Sequence, residues 1–374
     1  MVKILHSADF HIGAELSSLG TLAENRRYET LETFGKMILL CRENNVEFCL
    51  ISGDLFDSNN AGRAFSDAVL NYIKSAEDTQ FLYVAGNHDP LDPSSPFADA
   101  KIPENLHIFG TEFEAKDFPL KKVRFIGKSF SHSSMKTEPI DKSLLSDDFI
   151  NIMLLHGDLF ADRQSPYNPI SREFIEDSCV DYLALGHIHK RSDIMRIGHT
   201  FTAYPGCPEG QGFDEDGIKG VYIGEVGKGV CNLSFKKLCR RAFFVYEANL
   251  SAAETSLDAA NIILSELKQN YGDSFAESLY KIVLTGRNKN CSHIKTAEIL
   301  ALISPSLYFV KLENQLKPDY DLSILKNEIG LKGLFVNKML EKIALADEVD
   351  KAVLENALYL GLEAFEGQVS YNED

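Results

Sequence analysis

Along residues 1–240, short apolar runs alternate with charged segments, and most of these runs end in a cluster of Asp, Asn, Gly or His. Val2-Lys-Ile-Leu-His-Ser-Ala-Asp9 reads as a buried strand, followed by a polar loop. An amphipathic helix is predicted over 24–43, with Leu31, Phe34, Ile38 and Cys41 on one face. Residues 46–52 form a second apolar strand running into Gly53-Asp54, 61–76 a helix, and 81–85 the strand before Gly86-Asn87-His88-Asp89. This β-α-β-α-β run implies a partly parallel sheet with helices on its faces. In such sheets ligands bind outside the carboxyl ends of the strands, where all three polar clusters fall.

Beyond Pro90 the pattern changes. Pro93, Pro96 and Pro103 mark a loop, and short strands are predicted near 106–109 and 123–127. Strands at 150–155 and 182–185 precede two further histidine clusters, and 194–197, 200–204, 221–225 and 231–236 read as antiparallel pairs. The pattern predicts an α/β (α+β) architecture: a sandwich of two sheets flanked by helices over residues 1–240. A smaller α+β cap follows over 241–330, with strands at 243–246, 280–285 and 307–312 and helices at 251–269 and 296–302. Residues 331–374 are expected to form a C-terminal segment of two helices broken near Asp347, ending in a polar tail. No internal repeat or long low-complexity stretch occurs.

Composition narrows the class. A chain of 374 residues with 44% hydrophobic and 25% charged content is ordinary for a soluble globular protein. No stretch approaches the ~20 apolar residues of a membrane span. Met1-Val2-Lys3 leads straight into a strand, so no signal peptide is expected and the cytoplasm is the expected location. The seven cysteines are widely spaced and set in apolar surroundings (Cys49, Cys179, Cys231), with no C-x-x-C pair, which favours free buried thiols over disulfides or a zinc finger. A net charge of −17 counts against autonomous binding of nucleic acid, which usually needs a basic footprint. It leaves nuclease chemistry open, because metal cations or a basic partner can supply local positive charge.

The chemistry lies in five segments: Asp9-Phe10-His11, Gly53-Asp54-Leu55-Phe56-Asp57, Gly86-Asn87-His88-Asp89, His156-Gly157-Asp158 and Gly186-His187-Ile188-His189. Asp9 and His11 can share one metal. Asp54 can bridge two, since a carboxylate has two oxygens and little bulk. Asn87 offers an amide oxygen, His156 and His187 imidazoles for the second metal, and His189 returns to the first. A mixed oxygen and nitrogen set without thiolate suits manganese, iron or zinc. Two such divalent metal ions about 3.5–4 Å apart activate water and clamp a phosphoryl group for in-line attack. His88 is placed to donate a hydrogen bond or proton to the phosphoryl or leaving oxygen, and Asp57 to hold His88 in its protonated tautomer.

Other features carry less. Asn87-His88-Asp89-Pro90 alone would be a polar turn, and Asp89 and Asp158 read as supporting or turn residues. His6 reads as a core histidine. Gly224 to Gly229 lacks phosphate-loop spacing and joins two strands, and Asp214-Glu215-Asp216-Gly217 lacks the glutamate that ends a calcium loop, so both read as turns. No nucleophile elbow and no Walker motif appears.

These motifs resemble the calcineurin-like metallophosphoesterase superfamily, and most closely the bacterial SbcD-type DNA repair exonucleases with their YhaO-like branch. The likeness is carried by Ile4-Leu-His-Ser-Ala-Asp-Phe-His-Ile-Gly13, Gly53-Asp-Leu-Phe-Asp57, Asp181-Tyr-Leu-Ala-Leu-Gly-His-Ile-His-Lys190 and Tyr204-Pro-Gly206. The resemblance implies the metallophosphoesterase fold. It implies Asp9, His11, Asp54, Asn87, His156, His187 and His189 as ligands, usually to manganese, and His88 as the catalytic histidine. It also implies DNA as substrate, a coiled-coil ATPase partner of the SbcC kind docking on C-terminal helices, and a homodimer. Two departures stand out: Ser58-Asn59 follows Asp57 where protein phosphatases carry Arg-Gly, and Gln211 stands where related exonucleases often carry arginine. On the C-terminal side, Phe335, Met339 and Leu340 fall at helical spacing, fit either to receive the partner or to pack on the chain's own cap.

The expected activity is therefore metal-dependent phosphodiester hydrolysis, with a DNA repair exo- or endonuclease as the leading reading. A small-molecule phosphodiesterase or nucleotidase, and a nuclease-like scaffold for an ATPase, remain as alternatives. Lys121-Lys122, Lys190-Arg191 and Arg240-Arg241 are the pairs that could line a DNA groove; their placement on remote faces would favour the small substrate.

Overall fold

In the computed structural model, which describes residues 1–136, 139–160 and 164–365, the apolar runs at 2–7, 48–52, 81–84, 150–156 and 182–186 bury both of their faces. Strands β1 (Val2–Ser7), β2 (Phe48–Ser52), β3 (Gln80–Val84) and β4 (Leu106–Ile108) are mutually parallel. Strands β5 (Glu114–Phe118), β6 (Val123–Gly127), β7 (Ile150–His156), β8 (Tyr182–Gly186), β9 (Met195–Ile197) and β10 (Thr200–Ala203) build a second sheet. Strands β11 (Gly220–Gly227) and β12 (Val230–Lys237) return to the first. The orders are β12-β11-β1-β2-β3-β4 and β5-β6-β7-β8-β10-β9, so the first sheet is antiparallel at its β11–β12 side and parallel from β1 to β4, while the second has a parallel centre and two antiparallel margins. The expected two-sheet sandwich flanked by helices is what forms.

Alternation of side chains explains why these runs are continuously apolar. Val2, Ile4, Phe48, Leu50, Leu82 and Val84 point inward against Phe125, Ile152, Leu154, Tyr182 and Ala184 of the other sheet. Their neighbours Leu5, Cys49, Ile51, Phe81 and Tyr83 face outward onto helices α1 (Ala23–Glu43) and α2 (Arg63–Lys74), through Phe34, Met37, Ile38, Val69 and Ile73. On the opposite outer face Met153, Leu155, Leu183 and Leu185 pack with Ile175 of α3 (Arg172–Ser178). The face of α1 predicted as apolar also buries Arg26, Glu29, Thr30 and Thr33, which lowers its amphipathic contrast.

Two expectations change in detail. The edge strand β5, Glu-Ala-Lys-Asp-Phe, was unpredicted because it leaves Ala115, Lys116 and Asp117 exposed. The seven cysteines are free, as expected, with Cys41, Cys49, Cys207 and Cys239 buried, but Cys179 is exposed rather than set in apolar surroundings. Among the described residues no helix is long and apolar enough to cross a membrane.

His6 is a core histidine with an acid-sensitive role. It is fully buried, its Nδ1 is 2.8 Å from Tyr182 Oη in the other sheet, and its Nε2 is 3.1 Å from the Leu185 carbonyl. Burial pushes its pKa down to about 3, against the opposing pull of the Leu185 carbonyl. The unfolded chain therefore takes up this proton near its ordinary value, about 6.5, while the folded chain resists it to about 3. Stability is full above that upper value and falls as pH drops through the window, by up to about 1.4 kcal/mol per pH unit. Urea unfolding from about pH 4 to 6 should give a shallower pH dependence for His6→Gln by roughly that slope. Parallel curves would remove the histidine from the acid response.

The chain divides after Phe243 into two compact units. The second begins along β13 (Phe243–Asn249) and orders its sheet β13-β14-β16, with β14 (Leu279–Thr285) parallel to β16 (Phe309–Asn314). Helices α4 (Ser256–Tyr271) and α5 (Thr296–Ile303) cover this sheet through Ala259, Ile263, Leu267, Ile299 and Ile303. Two-residue strands β15 (Arg287–Asn288) and β17 (Lys317–Pro318) pair, and the short helix α6 (Leu322–Leu325) leads to α7 (Leu331–Leu345) and α8 (Glu348–Phe365). Phe335, Met339 and Leu340 lie partly buried in the cluster of Val336, Leu358 and Leu362, so they join α7 to α8. The polar tail expected after α8 lies outside the described residues.

Candidate metal centre

The five segments read from the sequence leave the carboxyl ends of β1, β2, β3, β7 and β8, and converge where the two sheets meet. Both sheets are parallel there, so their strand ends deliver polar loops to one edge. The close approach has a local cause: a Cβ on Gly186 would run into the Ser52 carbonyl, and one on Gly53 into the His156 ring. Asp9 (φ 54°), His11 (φ 49°), Asp54 (φ 49°) and His187 (φ 105°) all adopt positive φ. Such strain in non-glycine residues persists only where surrounding structure enforces it, and it concentrates at functional sites.

Seven candidate ligands come together. Donor atoms of Asp9, His11 and His189 lie within 4.8 Å of one another, as do those of Asp54, His156 and His187. Asn87 Oδ1 is 3.0 Å from His156 Nε2 and 3.1 Å from His187 Nδ1. Asp9 accepts the His187 amide at 2.9 Å and Asp54 Oδ1 accepts the His88 amide at 2.9 Å. Asp9, Asp54, His11 and His156 are at most 2% exposed.

The four imidazoles share one arrangement: one nitrogen faces an outer oxygen, hydrogen-bonded to it in His156 and His189 and at ion-pair distance in His11 and His187, and the other faces the centre. His156 Nδ1 donates to the Ser52 carbonyl at 2.9 Å, His11 Nδ1 lies 3.3 Å from Asp57 Oδ1, and His187 Nε2 lies 3.3 Å from Asp158 Oδ1. His189 Nδ1 meets Glu215 Oε1. The inner nitrogens then converge on electron-rich atoms, with His11 Nε2 3.1 Å from His189 Nε2 and His156 Nε2 3.2 Å from Asp54 Oδ2. With the outer nitrogens protonated, the inner pair presents two lone pairs to each other, an arrangement that divalent cations would relieve. The residues therefore fit a pair of such ions.

Electrostatics point the same way. Burial alone would raise Asp54, but His156, His11 and His88 outweigh it and hold the carboxyl well below its usual range. Burial lowers His156, yet Asp54 and Asp9 lift it to about 9, so this pocket attracts positive charge. Burial, reinforced by His156, brings His187 down to about 4, which keeps that ring neutral.

His88 is the exposed member, its ring 4.6 Å from that of His11. Asp57 reaches it differently from expectation. The backbone carbonyl of Asp57 accepts from His88 Nδ1 at 3.0 Å, while the Asp57 carboxylate turns to His11. Asp89 is a buried tie between motifs, accepting the amides of Phe56 at 3.0 Å and Gly86 at 2.8 Å and the Tyr83 hydroxyl at 2.6 Å. Sequence reasoning set Glu215 aside in an acidic turn and gave no role to Tyr204, whose hydroxyl donates to the Gly157 carbonyl at 2.6 Å and steadies the loop after His156.

The three basic pairs separate. Lys121 bonds Glu47 at the amino-terminal ends of the strands, roughly 20 Å along β7 from the centre by strand rise. Arg240 and Arg241 are occupied by Glu29 at 3.2 and 3.0 Å. Lys190 and Arg191 alone follow the site directly, with Arg191 laid over Phe235 at 4.1 Å.

The calcineurin-like phosphoesterase family profile matches residues 2–191. The chain is 29% identical over 248 residues to the uncharacterized metallophosphoesterase YhaO of Bacillus subtilis (strain 168), covering 63% of this chain and 60% of that protein. It is 23% identical over 371 residues to the DNA double-strand break repair protein Mre11 of Sulfurisphaera tokodaii, covering 94% and 91% of the two chains. It is 32% identical over 115 residues to the SbcD component of the nuclease SbcCD of Rhodobacter capsulatus, covering 29% and 27%. The match thus spans less than two thirds of YhaO. By the profile that runs through all five of these motifs, this chain belongs to the calcineurin-like phosphoesterase family.

Proposed function

We propose that this protein is a metal-dependent phosphodiesterase, and that its substrate is DNA undergoing repair. The observation that carries the hydrolytic reading is the set of four imidazoles, each with one nitrogen facing an outer oxygen and the other turned inward among Asp9, Asp54 and Asn87. Asp9, His11 and His189 would hold one divalent ion, and His156, His187 and Asn87 the other, with Asp54 between them. The donor set suits manganese, with iron or zinc as alternatives. When bound, such a pair supplies Lewis-acid polarisation of a phosphoryl oxygen and lowers the pKa of water. The chain's own contribution is to orient these ligands and to present His88, whose Nδ1 is held by the Asp57 carbonyl, leaving Nε2 to serve the leaving oxygen.

DNA is favoured by likeness to proteins named for double-strand break repair and for nuclease activity. A small phosphodiester is the second reading, because two of the three basic pairs are remote from the centre or neutralised by carboxylates, in a chain of net charge −17. An SbcC-like ATPase, if present, would supply the missing positive surface. Its docking face in this reading is the exposed Leu331, Leu334, Leu345, Val353 and Leu360 of α7 and α8. End-labelled single- and double-stranded DNA, assayed with manganese beside bis-p-nitrophenyl phosphate, separates the substrates. Degradation of DNA supports the nuclease. Turnover of the small diester with intact DNA sinks it for the isolated chain.

A further inference from the structure

His189 differs from its three companions in what holds its outer nitrogen. His156 leans on the Ser52 carbonyl at the end of β2, His11 faces Asp57 shortly after it, and His187 faces Asp158 beside His156. His189 leans on Glu215, which belongs to no strand or helix and sits in the loop between β10 and β11. That loop nevertheless clasps the histidine, because the Cys207 amide donates to the His189 carbonyl at 3.2 Å and Lys219 Nζ to the same oxygen at 3.2 Å.

The Glu215 carboxylate, only 9% exposed, is pinned at both oxygens. Oε1 takes His189 Nδ1, while Oε2 accepts the Gln211 amide at 2.7 Å and faces the Cys207 thiol at 3.4 Å. It cannot rotate to leave the imidazole without losing these partners. A carboxylate so held keeps the proton on Nδ1 and the lone pair of Nε2 directed at the centre.

Beneath the loop lies the one arginine of α1 that is fully buried. Arg26 Nη1 bonds Glu209 Oε1 at 2.8 Å and Glu29 Oε2 at 2.7 Å, and Nη2 donates to the Gly210 carbonyl at 3.0 Å. Glu209, 1% exposed, also accepts from Thr33 Oγ1 at 2.8 Å and from the Arg240 amide at 2.7 Å. Burying three charges is costly and is weak evidence for stability in itself. What this cluster does geometrically is tie Glu209 and Gly210, the residues just before Gln211, to a helix.

We propose that Glu215 is the positioning residue of His189, and that the buried Arg26–Glu209 pair holds the loop that presents it. The affinity of one of the two metal positions, the one drawing on His189, then depends on groups that touch neither metal nor substrate. This rests on the two-metal reading above.

The test is titration of the protein with Mn²⁺ alone, followed by calorimetry and by the electron paramagnetic resonance of the bound ions. Glu215→Ala is expected to weaken one Mn²⁺ about 10–100-fold and leave the other unchanged, so that one equivalent gives an uncoupled signal. Glu215→Gln, which still offers His189 Nδ1 an acceptor oxygen, is expected to recover most of that affinity. Arg26→Lys, which cannot span Glu29, Glu209 and the Gly210 carbonyl together, is expected to weaken the same ion. A merely structural role would instead lower the unfolding temperature of the metal-free protein and move both affinities together, with glutamine no better than alanine. Two unchanged affinities in Glu215→Ala would overturn the assignment to Glu215, and unchanged affinities in Arg26→Lys would overturn the role of the ion pair. Failure of the wild-type protein to bind Mn²⁺ at all would defeat the two-metal reading itself.

Discussion

His88→Ala is expected to lower phosphodiester turnover about 10²–10⁴-fold, the usual worth of a positioned general acid, while leaving the metal content unchanged. The geometry separates the two effects. The backbone amide of His88 donates to Asp54 Oδ1 at 2.9 Å, and alanine keeps that bond. The ring is exposed and edge-on to His11, with Nδ1 held at 3.0 Å by the Asp57 carbonyl. A carbonyl only accepts, so Nδ1 carries a proton, and the doubly protonated ring can deliver another from Nε2. Turnover measured beside metal analysis of the purified variant decides the matter. A variant that lost both metals with its activity would make His88 a ligand.

Asp54→Ala should remove metal as well as turnover, because the Asp54 carboxylate faces a histidine of each candidate metal group. Its Oδ2 lies 3.2 Å from His156 Nε2 and 3.7 Å from His11 Nε2, and its carboxylate is 1% exposed. Removing it leaves the inner histidines without the negative charge that faces them, so divalent ions should bind weakly or singly. Since a metal ion contributes several kcal/mol of transition-state stabilisation, turnover should fall about 10³-fold or more. Metal content should fall with it, which distinguishes this variant from His88→Ala. Retention of two metals at wild-type affinity would show that Asp54 is not shared between them.

Much of this architecture is legible in the chain for a physical reason. Strands covered on both faces must be continuously apolar, so β1, β2, β3, β7 and β8 stand out, and parallel strands deliver their polar ends to one edge. Strand β5 and helix α3 escaped because neither has such a run: β5 is an exposed edge, and α3 buries only Ile175 and Ser178. The spacing of Phe335, Met339 and Leu340 fitted two partners equally, and only packing reveals that they meet α8.

The candidate ligands were legible because each is tied to a strand end. Their orientation was not. That Asp57 turns its carboxylate to His11 and its carbonyl to His88 depends on side-chain direction, which residue spacing does not encode. Glu215 was hidden for a different reason, since an acidic turn of Asp214-Glu215-Asp216-Gly217 has the composition of a solvated loop. Its burial arises from a tertiary contact with His189, 26 residues away. The same holds for the basic pairs, whose charges are visible in sequence but whose neutralisation by Glu47 and Glu29 is not.

The most direct test of the two-metal account is hydrolysis of bis-p-nitrophenyl phosphate by the metal-stripped protein as Mn²⁺ is added back, with Asp54→Ala in parallel. The account predicts negligible turnover without metal, activity that rises to saturation with two bound Mn²⁺ per chain, and turnover lower by about 10³-fold or more from the variant. Turnover that is independent of added metal, or that Asp54→Ala retains, would contradict it.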